Sequence, residues 1–221
     1  MSYDVSLYGH LTLDTIYVDF DCQKRLGSMG NVWHALLSMD SKLKVHLSPT
    51  SVGEALIYVN KERAERISRC VPEMKTSEPK IEKSKWNHVL YLNELSDLSF
   101  LKDLKGTTSG DVCVGRSIDV DCLKYIDYLF IADEDVFMDL REMAKLTRGW
   151  IIMHSSRGSI VTNGEEYHKV GIDNLQADSI NVLGAGDSFA AAFIASMLAG
   201  KDTLTSVKDA HAFATAYLLL Q

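Results

Sequence analysis

The chain is poor in residues that break or staple a fold. Only three of its 221 residues are proline, at 49, 72 and 79, so few points force an interruption of helix or strand. Its four cysteines, Cys22, Cys70, Cys113 and Cys122, form no CxxC pair, and no histidine stands at finger spacing from them. That spacing disfavours zinc, and the four are read as buried free thiols, which suit a reducing compartment and a cytoplasmic location. No apolar run reaches membrane-spanning length; the longest, Phe189 to Ala199, is about half of what a bilayer requires. The opening residues MSYDVSLYGH carry Asp4 and no basic segment, so they do not read as a signal peptide. Cation is also in deficit, with 23 Lys and Arg against 30 Asp and Glu and a formal net charge of -7. Nucleic acid and anionic membranes both demand clustered cation, so neither is an expected partner, although a local field inside a cleft can still oppose the net charge.

What is present is enough apolar residue, 46%, for one sizeable core and too little length for two full domains. The early region is rich in strand signals: VSLYG (5–9), LDTIYVDF (13–20), KVHL (44–47) and EALIYVN (54–60), with a helix around Asn31 to Met39 between them. Residues 70–85, holding two prolines and KIEKSK, read as a solvated connection. Beyond it, strand-like runs at 87–93, 111–115, 128–132 and 149–154 alternate with helical spacing at 96–104, in DCLKYI and at 133–146. Such alternation predicts a mainly parallel sheet with helices on its faces. Asn163-Gly164 between two strand-like runs predicts an edge hairpin. Two helices close the chain, Gly186 to Leu198 capped by Gly200, and roughly Leu204 to Leu219; Trp33 and Trp150 are read as core.

The chemistry concentrates in SINVLGAGDSFAAAFIASMLA (179–199). Gly184 and Gly186 bracket Ala185 directly before a long apolar helix. Such glycines let a backbone approach a ligand closely, and the N–H groups and dipole of the helix start favour an anion. Asp187 repels an anion there, so as a functional residue it needs another task, such as accepting the proton of a hydroxyl that attacks phosphorus. On GAGD alone, an ordinary turn with a capping Asp is an equal reading. It is neither a Walker A loop nor a dinucleotide fingerprint, since GxxxxGK[ST] and a third glycine are absent.

NVLGAGDSFAAAFIASMLAG resembles the C-terminal signature DTxGAGDxF of the ribokinase (PfkB) family of carbohydrate kinases. Further resemblances run in the family's order: VSLYGHLTLDTIYV is similar to its opening strand, GSMGNVWHAL to its GGxxxNxA signature, HSSRGSIV to its TxGxxG strand-turn, and LTSVKDAHAFATAYLLL to its final helix. The resemblance implies an α/β/α sandwich with a small β-sheet lid, shortened after Met39, in a single domain over 1–221 with lid strands within about 11–20 and 44–69. It implies transfer of the γ-phosphate of ATP to a hydroxyl of a sugar or sugar-like molecule, with Asp187 as base and Gly184, Ala185 and Gly186 as anion hole. Asp14, Gly27 and Asn31 are the implied substrate residues, and Ser155, Arg157, Gly158 and His211 the implied nucleotide residues, although His211 reads equally as a core histidine. Asp135 is the implied magnesium residue. A nucleoside as acceptor and a catalytically idle binding protein are the alternatives, and pairing of two copies through the lid is implied as well. Four positions depart from the pattern. Asn181-Val182 replaces Asp-Thr, which weakens the hold on potassium because a neutral amide replaces a carboxylate. Ala132 replaces the Asn of NxxE, Met153 and Ser155 replace the Thr and first Gly of TxGxxG, and Ser28 replaces a glycine of the N-terminal pair.

Overall fold

A computed structural model describes residues 2–18, 21–60, 65–70, 75–112, 118–172 and 182–220; for residues 60, 65–70 and 75–76 it describes the backbone only. Eleven strands form one sheet: β1 (Tyr3–Val18), β2 (Asp21–Ser28), β3 (Val45–Asn60), β4 (Glu65–Cys70), β5 (Lys75–Thr76), β6 (Ser84–Val89), β7 (Thr107–Asp111), β8 (Tyr128–Ala132), β9 (Trp150–Ser155), β10 (Gly158–Thr162) and β11 (Tyr167–Gly171). The order is β11-β10-β9-β8-β7-β6-β1-β3-β4, with β2 on β1 and β5 on β3. From β9 to β3 the pairings are parallel, and the predicted edge hairpin is β10–β11.

Two of the expected strand pairs are each one long strand. The runs 5–9 and 13–20 fuse into β1, and 44–47 and 54–60 into β3. Both strands start in the body of the sheet and continue into the lid, where β2 and β4 flank them antiparallel. Pro49 does not break β3. Gly9 pairs with Pro49 and His10 with Ser51, so Thr50 is an extra residue, and the resulting irregularity accommodates a residue that has no N–H for the ladder. Gly9, at φ 132°, is required there, because a Cβ would come within 2.6 Å of the Leu90 carbonyl oxygen. Strand β2, DCQKRLGS, is not evident from its composition; it forms because it covers the edge of β1 over eight paired residues.

Helices α1 (Met29–Met39), α3 (Ala185–Leu198) and α4 (Thr203–Leu219) pack on one face of the sheet, around Val5, Leu7, Trp86, Phe130, Ile152 and Val161. The opposite face carries Tyr8, Val89, Leu129, Ile131 and Ile151. It is covered by 3-10 segments at Ser99–Asp103 and Val120–Tyr125 and by the short helix α2 (Leu140–Ala144). Alternation along β8 thus feeds both cores. The helix expected over 133–146 is therefore corrected to a 3-10 turn, Asp133–Asp135, followed by α2. Asp139, in extended conformation, accepts from the N–H groups of Arg141 and Glu142 and starts the helix anew. Helix α3 is buried over Asp187–Ile194, as its nearly uninterrupted apolar sequence requires, and Gly200 ends it at φ 85°. Only residues 40–44 join α1 to β3, which is where the chain was expected to be short. Cys122 is buried as expected, but Cys22 is exposed on β2; the Cys113 thiol and the Cys70 side chain lie outside the described structure. Among the described residues, no helix is long and apolar enough to cross a membrane.

Phe193 is fully buried where Trp86, Tyr128 and Phe130 meet α3, with ring centroids 5.2–6.2 Å away. Phe193→Ala is expected to destabilise the fold by about 3–5 kcal/mol, the usual cost of such a cavity, measured as a shift in the urea unfolding midpoint at unchanged slope.

Candidate active site

The parallel strands β1, β6, β7, β8 and β9 deliver their carboxyl ends to the edge at which α3 begins, the position where open α/β sheets hold ligands. Gly184 opens α3 in left-handed conformation, φ 80°, and the Ser188 hydroxyl donates to its carbonyl at 2.7 Å. A Cβ at Gly184 would approach Tyr217 Oη at 2.9 Å and Asn31 Nδ2 at 3.5 Å, so the turn is tightly enclosed. Gly186 faces the imidazole of His154.

Asp187, in the first turn of α3, is buried, and both its carboxylate oxygens are engaged. Asn31 Nδ2 donates to Oδ2 at 2.8 Å and Tyr91 Oη donates to Oδ1 at 3.0 Å. Asn31 is thus no helix cap, since α1 begins two residues earlier; it bridges α1 to α3. Tyr91 follows β6 at φ 59°, and its N–H donates to Asp111 Oδ1 at 2.6 Å. Burial raises the Asp111 carboxyl well above its ordinary pKa, and the negative charge of Asp187 adds to the effect. His88, fully buried behind it, is depressed to about 3 by desolvation. Its Nδ1 meets Ser109 Oγ at 2.9 Å, and its 3.9 Å approach to Asp111 is a contact of a neutral ring, not an ion pair.

The lid closes the site from above. Asp14 is buried on the inner face of β1 and accepts from Thr12 Oγ1 at 2.5 Å. Its carboxylate lies directly over Gly27, where any Cβ would collide with it. Burial raises its pKa, against the opposing influence of Thr12 and Arg25. Leu183, one residue before the glycine turn, packs into the apolar inner face of the lid with Ile16, Ala55 and Ile57. Asn31 thus touches both Asp187 and the glycine turn, Asp14 faces Gly27 within the lid, and the Leu183–Ile16 contact joins the two groups.

The other expected residues surround the end of β9. Ser155 and Gly158 flank the two-residue turn Ser156-Arg157, in which Ser155 Oγ accepts from Arg157 N–H at 3.1 Å and donates to the Gly158 carbonyl at 3.0 Å. Arg157 is exposed and lies 3.6 Å from Asp133 Oδ2. Asp135 closes the 3-10 turn after β8. His211 is buried, paired with Ser159 Oγ at 2.8 Å and edge-on to Phe189; desolvation lowers it to about 4, so it sits behind the turn as a satisfied core residue. His154, between the turn and Gly186, is likewise lowered to about 4, by burial and then by His211. Asn181 lies outside the described residues. Tyr91, Asp111, Arg25 and Tyr217 escaped sequence reading; Tyr91 and Asp111 fell inside the strand-like runs 87–93 and 111–115, whereas β6 ends at Val89 and β7 at Asp111.

A lidded α/β/α sandwich with a buried carboxylate at a glycine-turned helix start is an arrangement that solved structures share. Residues 133–219 match the pfkB family of carbohydrate kinases. The fold is similar to ribokinase from Thermotoga maritima, at TM-score 0.75 and 17% identity over 98% of this chain and 93% of that one. It is equally similar to adenosine kinase from Sinorhizobium meliloti, at TM-score 0.75 and 15% identity over 98% and 94%. A nucleoside kinase from Burkholderia thailandensis, solved in complex with inosine, follows at TM-score 0.70 and 12% identity over 97% and 90%. No curated protein matches by sequence. The C-terminal part thus carries the sequence pattern, and the whole chain the fold, of the ribokinase/PfkB family.

Asp111 gives the fold a pH dependence of known sign. Below about pH 4 its carboxyl is protonated in both folded and unfolded chains; above that the unfolded chain releases the proton while the fold retains it, so stability falls as pH rises toward the raised folded pKa. Asp111→Asn keeps an acceptor for Tyr91 N–H and removes this loss. Its urea midpoint is expected to gain on that of the unaltered chain between pH 5 and pH 8, and an equal difference at both would refute the assignment.

Proposed function

We propose that the chain transfers the γ-phosphoryl group of ATP to a hydroxyl of a sugar or a related small molecule, a nucleoside included. The observation that carries this is the Asp187 carboxylate, buried and aimed by Asn31 and Tyr91 at the start of α3 under the lid. Asp14, over the side-chain-free Gly27, holds an acceptor hydroxyl. Asp187 takes the proton of the attacking hydroxyl, and the first-turn N–H groups and dipole of α3 stabilise the charge on the transferring group. The 155–158 turn, with Ser155, Arg157 and Gly158, receives the nucleotide, with His211 supporting it from behind. Asp135, closing the 3-10 turn at the end of β8, would be the carboxylate for a magnesium ion held otherwise by phosphates and water. When bound, it offsets phosphate charge.

Asp187→Asn keeps the size and can still accept from Asn31 while its amide donates to Tyr91 Oη. The catalytic reading predicts a loss of roughly 10²–10⁴-fold in kcat with little change in thermal midpoint. ADP release over a panel of sugars and nucleosides measures it, and near-unaltered kcat would remove Asp187 from the mechanism.

The proposal extends to a dimer through the lid. Its outer face exposes Leu13, Val52 and Tyr58, and Tyr58 stacks on Tyr17 across the β1–β3 register at 5.1 Å. A small sheet with an apolar outer face favours a second copy. Light scattering at micromolar concentration is expected to give twice the chain mass, and a monomer would contradict it.

A further inference from the structure

A half-buried cation on the lid accompanies the carboxylates of the site. Arg25 stands on β2 directly opposite Asp14 in the antiparallel register, so the two side chains share the inner face of the lid. The guanidinium lies close enough to the Tyr217 hydroxyl for its charge to act on it, and Tyr217 in turn lies against Gly184. Arg25 therefore stands between the acceptor-holding strand and the tyrosine beside the glycine turn. Its Nε and Nη2 are nevertheless buried with no hydrogen-bond partner. Among the described residues none supplies one, Asp14 on the facing strand included.

A guanidinium cannot shed its charge, and leaving its donors dry is unfavourable. The two unsatisfied nitrogens are also not an arbitrary pair. Nε and Nη2 form one side of the guanidinium fork, the side that takes two oxygens of a single carboxylate or phosphate. The transferring phosphoryl already has the helix start for its charge, whereas Arg25 belongs to the strand that frames Asp14. We propose that Arg25 receives an oxyanion of the acceptor itself, so that the hydroxyl compound bound beneath the lid carries a phosphate ester or a carboxylate. The inference rests on the kinase reading only for the acceptor's location. It explains why the inner face of the lid, beside Thr12, Asp14 and Ile16, carries an arginine with two dry nitrogens.

The test is calorimetric binding, which needs no turnover and so stands even for a chain that does not transfer phosphate. Ribose and ribose 5-phosphate, fructose and fructose 6-phosphate, and glucose and gluconate are compared on the unaltered chain, on Arg25→Gln and on Arg25→Lys, with ADP as a control. At least one anionic compound is expected to bind tenfold or more tightly than its neutral parent. Arg25→Gln removes that advantage, Arg25→Lys keeps part of it, and ADP binding is unchanged in both. On the unaltered chain the same compound loses affinity as salt rises while its parent does not, which keeps the test decisive should Arg25→Gln fail to fold. The proposal is overturned if no anionic compound exceeds its parent. It is equally overturned if Arg25→Gln weakens ADP, which assigns the arginine to the nucleotide, or weakens neutral and anionic compounds alike.

Discussion

The arrangement turns on one buried carboxylate and the two donors that hold it. A carboxylate taken out of water is unfavourable unless hydrogen bonds replace its hydration. Asp187 finds them in Asn31, from α1 in the N-terminal half, and in Tyr91, from the loop after β6. Three segments far apart in the chain must therefore converge before the helix start can be buried at all. The same requirement orders the surroundings. Tyr91 can present its hydroxyl only because its backbone sits at positive φ, anchored by Asp111. Asp111 can serve as that anchor because it is itself buried at the end of β7.

Continuity of strands ties the lid to this centre. Asp14 and His10 lie on the same strand, β1, which passes from between β6 and β3 in the body to between β2 and β3 in the lid. The acceptor-side carboxylate is thus placed by the same backbone whose earlier residues, Val5 and Leu7, are packed in the core. The pairing is irregular between β1 and β3 at Gly9–His10, opposite Pro49–Ser51. Beyond that point the inner face alternates again, with Thr12, Asp14, Ile16 and Val18 all buried. Leu183 meets Ile16, so the apolar face of the lid and the glycine turn share one small core.

Sequence made the framework legible where local signals and tertiary demands agree. The apolar run at 128–132 is a strand, Asn163-Gly164 is a hairpin turn, and the apolar stretch after GAGD is a buried helix. Reading failed where long-range packing overrides a local pattern. The spacing of 133–146 looks continuous, but Asp139 offers the backbone a cap and divides it. Residues 21–28 carry polar groups at most positions and become a strand only because the edge of β1 is there to be covered. The same distinction applies to the site. The GAGD turn, Asn31 and Asp14 announce themselves through residue type and spacing, and the structure gathers them. Tyr91 is a single residue in the turn after β6, and Asp111 is the last residue of β7. Their part emerges only when the sheet aligns the ends of β6 and β7, which are parallel neighbours.

Charge balance gives the arrangement its last constraint. Asp111 and Asp187 are buried close enough for the negative charge of one to disfavour ionisation of the other, and Asp14 is buried on the lid. Asp187 accepts from Asn31 and Tyr91. Asp111 is pushed toward the protonated state, chiefly by burial and further by the charge on Asp187. Asp14 is raised by burial and restrained by Thr12 and Arg25. A site built in this way moderates the charge of two of its three carboxylates. The field opposing an incoming phosphate is then weaker than the count of acidic residues suggests. Arg25 further offsets it from the lid side, and it does so without forming an ion pair that would tie up the carboxylate facing it.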